Sequence, residues 1–136
     1  MKILWLAHRD PLNPKAGGAE LIIKEIGKRF VEEGNEFFLV TGGWKGSKGD
    51  DACCGIKIKR FGQRAGPHFA AFFELIRDDY DIVICDLGHA VPWISPIILR
   101  KKHLVHFVHL HARSLPGQVG RTLAMIIASI ERLYFI

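Results

Sequence analysis

The chain has little of what marks a secreted, membrane-spanning or nucleic-acid-binding protein. Its three cysteines, Cys53, Cys54 and Cys85, have neither zinc-knuckle nor redox-pair spacing. An odd count with no signal peptide predicts reduced thiols and a cytoplasmic setting, with Cys85, inside an apolar run, as an inert core thiol. No hydrophobic run spans a bilayer: the first ends at His8-Arg9-Asp10, and the longest later one, 123–130, contains Ser129. No block of like charges occurs. The net charge of +5 is scattered over residues such as Lys15, Lys45, Lys57, Arg60, Arg64 and Arg100. This predicts a solvated basic surface, with attraction to phosphate groups or anionic lipid as the alternative. No basic motif is interleaved with aromatics, so no nucleic-acid partner is expected. The dinucleotide fingerprint Gly-x-Gly-x-x-Gly and the Gly-Lys-Ser/Thr of a Walker loop are also missing. His103, His106, His109 and His111 cluster, but no carboxylate or cysteine completes a ligand set at useful spacing, so no metal is expected.

What is present is an alternation of short apolar runs and helical stripes. The 136 residues, 49% apolar and 24% charged, suit one globular domain able to bury about two-thirds of its extended surface. Residues 2–7 predict a buried strand. A loop, 8–17, leads to Gly17-Gly18-Ala19-Glu20, which opens an amphipathic helix. Ala19, Ile22, Ile23, Ile26 and Phe30 fall on its inner face. Glu20 with Lys24, and Glu25 with Arg29, stand as i,i+4 pairs on its wet face. Gly34-Asn35 predicts a left-handed stop. Strand two is 36–41, and 42–51 is a polar, glycine-rich loop. The alternation over 56–61 predicts a strand at or near a sheet edge.

A second helix is expected over 67–79. Its Phe69, Phe72, Phe73 and Ile76 are expected to pack on the sheet, with lipid contact as the alternative. Strand four is 81–85, apolar on both faces and so central. A short helix over 91–100 is broken near Pro96, and strand five is 103–108. From Gln118 a last helix carries Leu123, Ile126, Ile127, Ile130 and Tyr134 on one face. This order predicts an α/β fold: a doubly wound, mostly parallel Rossmann-like sheet with helices on both faces.

A strand feeding a glycine-rich helix start is a place to hold an anion, because the first amides lack intrahelical partners and the helix dipole adds positive charge. The plainer alternative is a helix entry capped by Gly17.

Several segments carry a family resemblance: Met1 through Pro11, Pro14-Lys-Ala-Gly-Gly-Ala-Glu20, Gly34-Asn-Glu36, Gly55 through Arg60, Tyr80 through Ile84, Val105-His-Phe-Val-His109 and Glu131-Arg-Leu-Tyr134. In this order and spacing the chain resembles the amino-terminal half of family 4 glycosyltransferases. These are retaining, two-domain GT-B enzymes that use nucleotide-sugar donors. Gly-Gly-Ala-Glu is the most specific part of the match, which covers essentially the whole chain. The resemblance implies that Gly17 and Gly18 approach the donor diphosphate. It implies that His109 is catalytic, beside the sugar and the leaving phosphate. Asp86, His89 and His111 are acceptor-binding candidates, although Asp86 could equally cap the following helix. No cofactor is implied. The implied partners are a nucleotide-sugar donor, a sugar or lipid-linked acceptor, and a peripheral contact at the inner membrane face.

The last helix has no cap, so 1–136 is expected to be a truncated amino-terminal domain without its donor-binding domain, inactive or nearly so alone. The main alternative is a non-catalytic Rossmann-like binding module that docks a partner subunit supplying the donor-binding half. A nucleotide-binding or epimerase-type enzyme on the same fold, and a folded remnant without activity, are further alternatives.

Overall fold

The structure is a computed structural model describing residues 1–62, 65–87 and 93–107, with 120, 122, 125, 126 and 129. Its elements run β1 (Lys2–Leu6), α1 (Gly18–Glu32), β2 (Glu36–Thr41), β3 (Asp50–Cys53), β4 (Ile56–Arg60), α2 (Gly66–Arg77), β5 (Ile82–Leu87), α3 (Ser95–Ile98) and β6 (His103–Phe107). The six strands form one sheet in the order β3-β4-β2-β1-β5-β6. Every pairing is parallel except β3 with β4. The chain is therefore an α/β protein with a mostly parallel, Rossmann-like sheet.

Alternation along β1 sorts the core into two layers. Ile3, Trp5 and Ala7 join Phe37, Leu39, Ile56, Ile58 and Ile23 of α1. Leu4 and Leu6 join Val40, Val83, Cys85 and three residues of α2: Ala70, Ala71 and Leu75. Successive strand residues point to opposite faces. Thus α1 lies on one face and α2 on the other.

The segment expected to be a loop over 42–51 ends instead in β3, which covers β4, so β4 is one place in from the edge. The two strands form a hairpin in which Cys53 pairs with Ile56. Its two turn residues, Cys54 and Gly55, have φ of 54° and 80°, the signature of a type I′ turn. The two aspartates that open β3 are poor strand formers. Arg60 holds Asp51 there through an Nη1–Oδ2 ion pair of 2.9 Å.

In α1, Ile23 is fully buried and Ile26 and Phe30 pack beside it, but Ile22 is exposed. The inner face instead includes Gly27, where an added Cβ would lie 2.6 Å from Ile56. Glu20 is buried rather than on the wet face. The i,i+4 ion pair found among the described residues is Lys28–Glu32, at 3.7 Å. The helix closes as expected: Gly34 has φ of 82°, and the amides of Gly34 and Asn35 donate to Val31 and Phe30 carbonyls, a Schellman arrangement.

The larger correction concerns α2. Its buried face is Ala70, Ala71, Glu74 and Leu75. Phe69, Phe73 and Ile76 point outward, at 67%, 66% and 59% exposure. Pro96 does not break the short helix; it stands in the first turn of α3, where its missing N–H costs nothing. In the last helix Ile126, expected inward, is exposed, and Leu123, Ile127, Ile130 and Tyr134 lie outside the described residues. No described helix is long and apolar enough to cross a membrane.

Candidate functional site

The chain builds from β1 outward through β2 and β4, then returns to place β5 on the other side of β1. The loops at the carboxyl ends of these central strands border the crevice where such sheets take ligands. Here the loop after β1 and the loop after β2 face each other across a cleft of about 790 Å³. Its walls include His8, Arg9 and Lys15 from the first loop and Gly42, Trp44 and Lys45 from the second.

One buried side chain holds both loops. Arg60, at the end of β4, meets Asp10 with Nε–Oδ2 at 2.7 Å and Nη2–Oδ1 at 3.0 Å. Its Nη1 donates to the Lys48 carbonyl at 3.1 Å and to Asp51 at 2.9 Å. Its guanidinium lies 4.5 Å from the centre of the Trp44 ring, a cation–π contact. The hydrogen bond with Asp10 outweighs burial and pushes the Arg60 pKa further up. Short-range bonds finish the first loop. Asp10 Oδ1 accepts from the Leu12 amide and Asn13 Oδ1 from the Lys15 amide, each at 2.9 Å. Arg9 Nη1 donates to the Lys15 carbonyl at 3.3 Å. In the second loop the Trp44 amide donates to Ser47 Oγ at 3.0 Å.

The cleft is electrostatically one-sided. Arg9, Lys15 and Lys45 line it, and none of the three is ion-paired among the described residues. The nearby carboxylate, Asp10, is fully buried against Arg60. From the cleft wall His8 meets the Trp93 ring at a tilt and the His68 ring edge-on, with centroids 5.1 Å and 5.4 Å away. Burial lowers the His68 pKa from its usual 6.5, so this ring is neutral at neutral pH.

The residues singled out from sequence do not all meet here. Gly17 caps α1 and Gly18 begins it, just beyond Lys15 in the chain, yet neither lines the cleft. The Gly17 amide is already used, donating to Glu20 Oε2 at 2.7 Å. The amides of Gly18, Ala19 and Glu20 have no hydrogen-bond partner among the described residues. Asp86 does not follow its strand but lies within β5. It is buried, and its Oδ1 is 2.7 Å from His106 Nδ1 on β6. Its carbonyl accepts from the Trp93 indole at 3.1 Å. His89, His109 and His111 lie outside the described residues.

Sequence reasoning missed the residues that line and brace the cleft. A signal was available: two loops, each with basic residues, follow the ends of adjacent parallel strands. No protein-family model matches the chain, and no curated protein is similar enough to it to stand as a relative.

Proposed function

We propose that the chain is the acceptor-side half of a retaining glycosyltransferase, which moves a sugar from a nucleotide-sugar donor to a sugar or lipid-linked acceptor. The observation that carries this reading is the open cleft at the carboxyl ends of β1 and β2, the edge where doubly wound sheets take ligands. The family resemblance of the sequence supplies the chemistry. In this reading the donor diphosphate comes against Gly18, where an added Cβ would meet nothing within 4 Å. The fold itself therefore gives no steric reason for glycine there, whereas close approach of a phosphate does. His109 is the catalytic group. Asp86, His89 and His111 are the acceptor-binding candidates, Asp86 paired with His106. The bond from the anomeric carbon to the diphosphate breaks, the acceptor oxygen bonds on the same face, and its hydroxyl proton passes to the departing nucleoside diphosphate. A second domain, joined to the chain or docked as a partner subunit, holds the nucleotide.

Purified residues 1–136 are expected to consume no nucleotide sugar alone and to gain transfer when a donor-binding domain is supplied. Robust transfer by the chain alone overturns this division of labour.

A cytoplasmic protein resting on the inner membrane face completes the proposal. Its support is the outward face of α2, where Phe69, Phe73 and Ile76 stand beside Arg77, an apolar stripe with a cation at its edge. Anionic liposomes should sediment the parent chain and leave Phe69→Ser/Phe73→Ser in solution. Sedimentation that does not respond to anionic lipid counts against the contact.

A further inference from the structure

Three cations share one concavity that no carboxylate lines among the described residues. Arg9 and Lys15 come from the loop after β1, and Lys45 from the loop after β2. Like charges gathered in a cleft raise each other's energy and focus a positive potential into it. Lys15 and Lys45 are exposed and Arg9 is half-buried, on loops that internal bonds brace. Asp10 is held inside by Arg60, the Lys15 amide is tied to Asn13, and the Arg9 guanidinium is tied to the Lys15 carbonyl. Arg60 also braces the second loop through the Lys48 carbonyl and the Trp44 ring. Trp44 borders the same space, and its indole offers the flat apolar surface on which a sugar ring rests.

We propose that this cleft selects a small molecule carrying a phosphate dianion on a sugar-like body. The phosphate sits between Arg9, Lys15 and Lys45, and the body lies against Trp44. Arg9 supplies paired N–H donors for the phosphate oxygens and the lysines supply point charges. A dianion matches this excess of positive charge better than a single carboxylate. That the ligand is the acceptor rests on the transferase reading: the acceptor is then a phosphorylated sugar or alcohol, not a neutral one. The donor's own diphosphate belongs at the start of α1, and neither Gly17 nor Gly18 borders the cleft.

The test is titration of the chain at low ionic strength with glucose, glucose 6-phosphate and uridine diphosphate, followed by amide NMR shifts. Glucose 6-phosphate should bind at least about tenfold more tightly than glucose, and added salt should weaken it. Lys15→Ala/Lys45→Ala should lower its affinity about tenfold or more, while Lys28→Ala on α1 leaves it unchanged. Equal binding of glucose and glucose 6-phosphate, no binding, or equal loss in the Lys28 variant overturns the proposal. Uridine diphosphate binding at the same cations as tightly as glucose 6-phosphate assigns the phosphate to the donor and overturns the acceptor claim. The two ideas fail separately. Phosphate binding lost with Lys15 and Lys45, but no nucleotide sugar consumed with a donor-binding domain present, sinks the transferase reading and leaves the cleft assignment standing. Transfer to a neutral acceptor at an unchanged rate in the Lys15/Lys45 variant does the reverse.

Discussion

Arg60 and Asp10, fifty residues apart, meet in a two-point ion pair that passes over the end of β2. β4 and β1 are not neighbours in the sheet; β2 lies between them. The pair therefore ties the loop after β1 to the far side of the loop after β2, and the cleft lies between those loops. Both side chains are out of solvent, at 1% and 0% exposure.

Arg60→Ala strands the buried Asp10 carboxylate and is expected to cost about 3–5 kcal/mol in urea unfolding, whereas Asp10→Ala should cost less, because Asp51 still partners Arg60. Replacing both by apolar residues of similar size should recover much of that loss, because no charge is then left alone. If the single variants unfold at the parent midpoint, the pair does not hold the loops.

The two faces of α2 predict opposite responses. Leu75 is 1% exposed, so Leu75→Ala should cost about 2–5 kcal/mol. Phe69, although larger, faces solvent, and Phe69→Ala should change stability by only about 0.5 kcal/mol. Thermal melts of the two variants check this; the reverse order would return the phenylalanine to the core.

Glu74 gives the fold an acid-sensitive point on the buried side of α2. Burial alone would raise its pKa, but the hydrogen bonds donated by Lys59 at 2.6 Å and Tyr80 at 2.7 Å, with the Lys59 charge, hold it below the ordinary 4.5. A carboxyl with a lowered folded pKa stabilises fully above its unfolded value and loses that contribution as pH falls through the folded one. Melting temperature should therefore drop as pH is taken below about 4.5. Glu74→Gln should be less stable at neutral pH and show a shallower drop in that window. Parallel curves for parent and variant would rule out this source.

Glu20 places a carboxylate where the helix dipole would otherwise attract an anion. Glu20→Gln keeps an oxygen for the Gly17 amide and removes the negative charge. Binding of a nucleoside diphosphate at the start of α1 should then strengthen, by about the few-fold that a helix-end charge is worth. Gly18→Ala should leave stability equal or up to about 1 kcal/mol higher while weakening that binding. Calorimetry on both variants is the check; unchanged affinity in both moves the diphosphate away from this helix end.

Much of the sheet was legible because strands β1, β2 and β5 each carry a local signal, a short apolar run with clear ends, and β4 carries alternation. The faces of α2 were not. Phe69, Ala70, Ala71, Phe72, Phe73, Leu75 and Ile76 put apolar groups all round the helix, so periodicity names no inner side. The sheet took the small side, Ala70 and Ala71, which lets the helix lie close. β3 was hidden for another reason: its aspartates argue against a strand, and the Arg60 contact that overrules them is made in space. The same holds for the site. Gly17-Gly18 is a local motif visible in the sequence, and it does not line the cleft; the cleft depends on Arg60 joining Asp10, a long-range pairing with no local trace. Asp86 was noticed, but its partner His106 becomes visible only when β5 and β6 pair in register.

Of the chain's three tryptophans, Trp5 and Trp93 are sealed at 2% and 0% exposure, and Trp44 borders the cleft against the Arg60 cation. Indole emission responds to nearby charge and to displacement of water. The molecule thus carries its own optical gauge: Trp44 is placed to report a small anion entering the cleft, without any label.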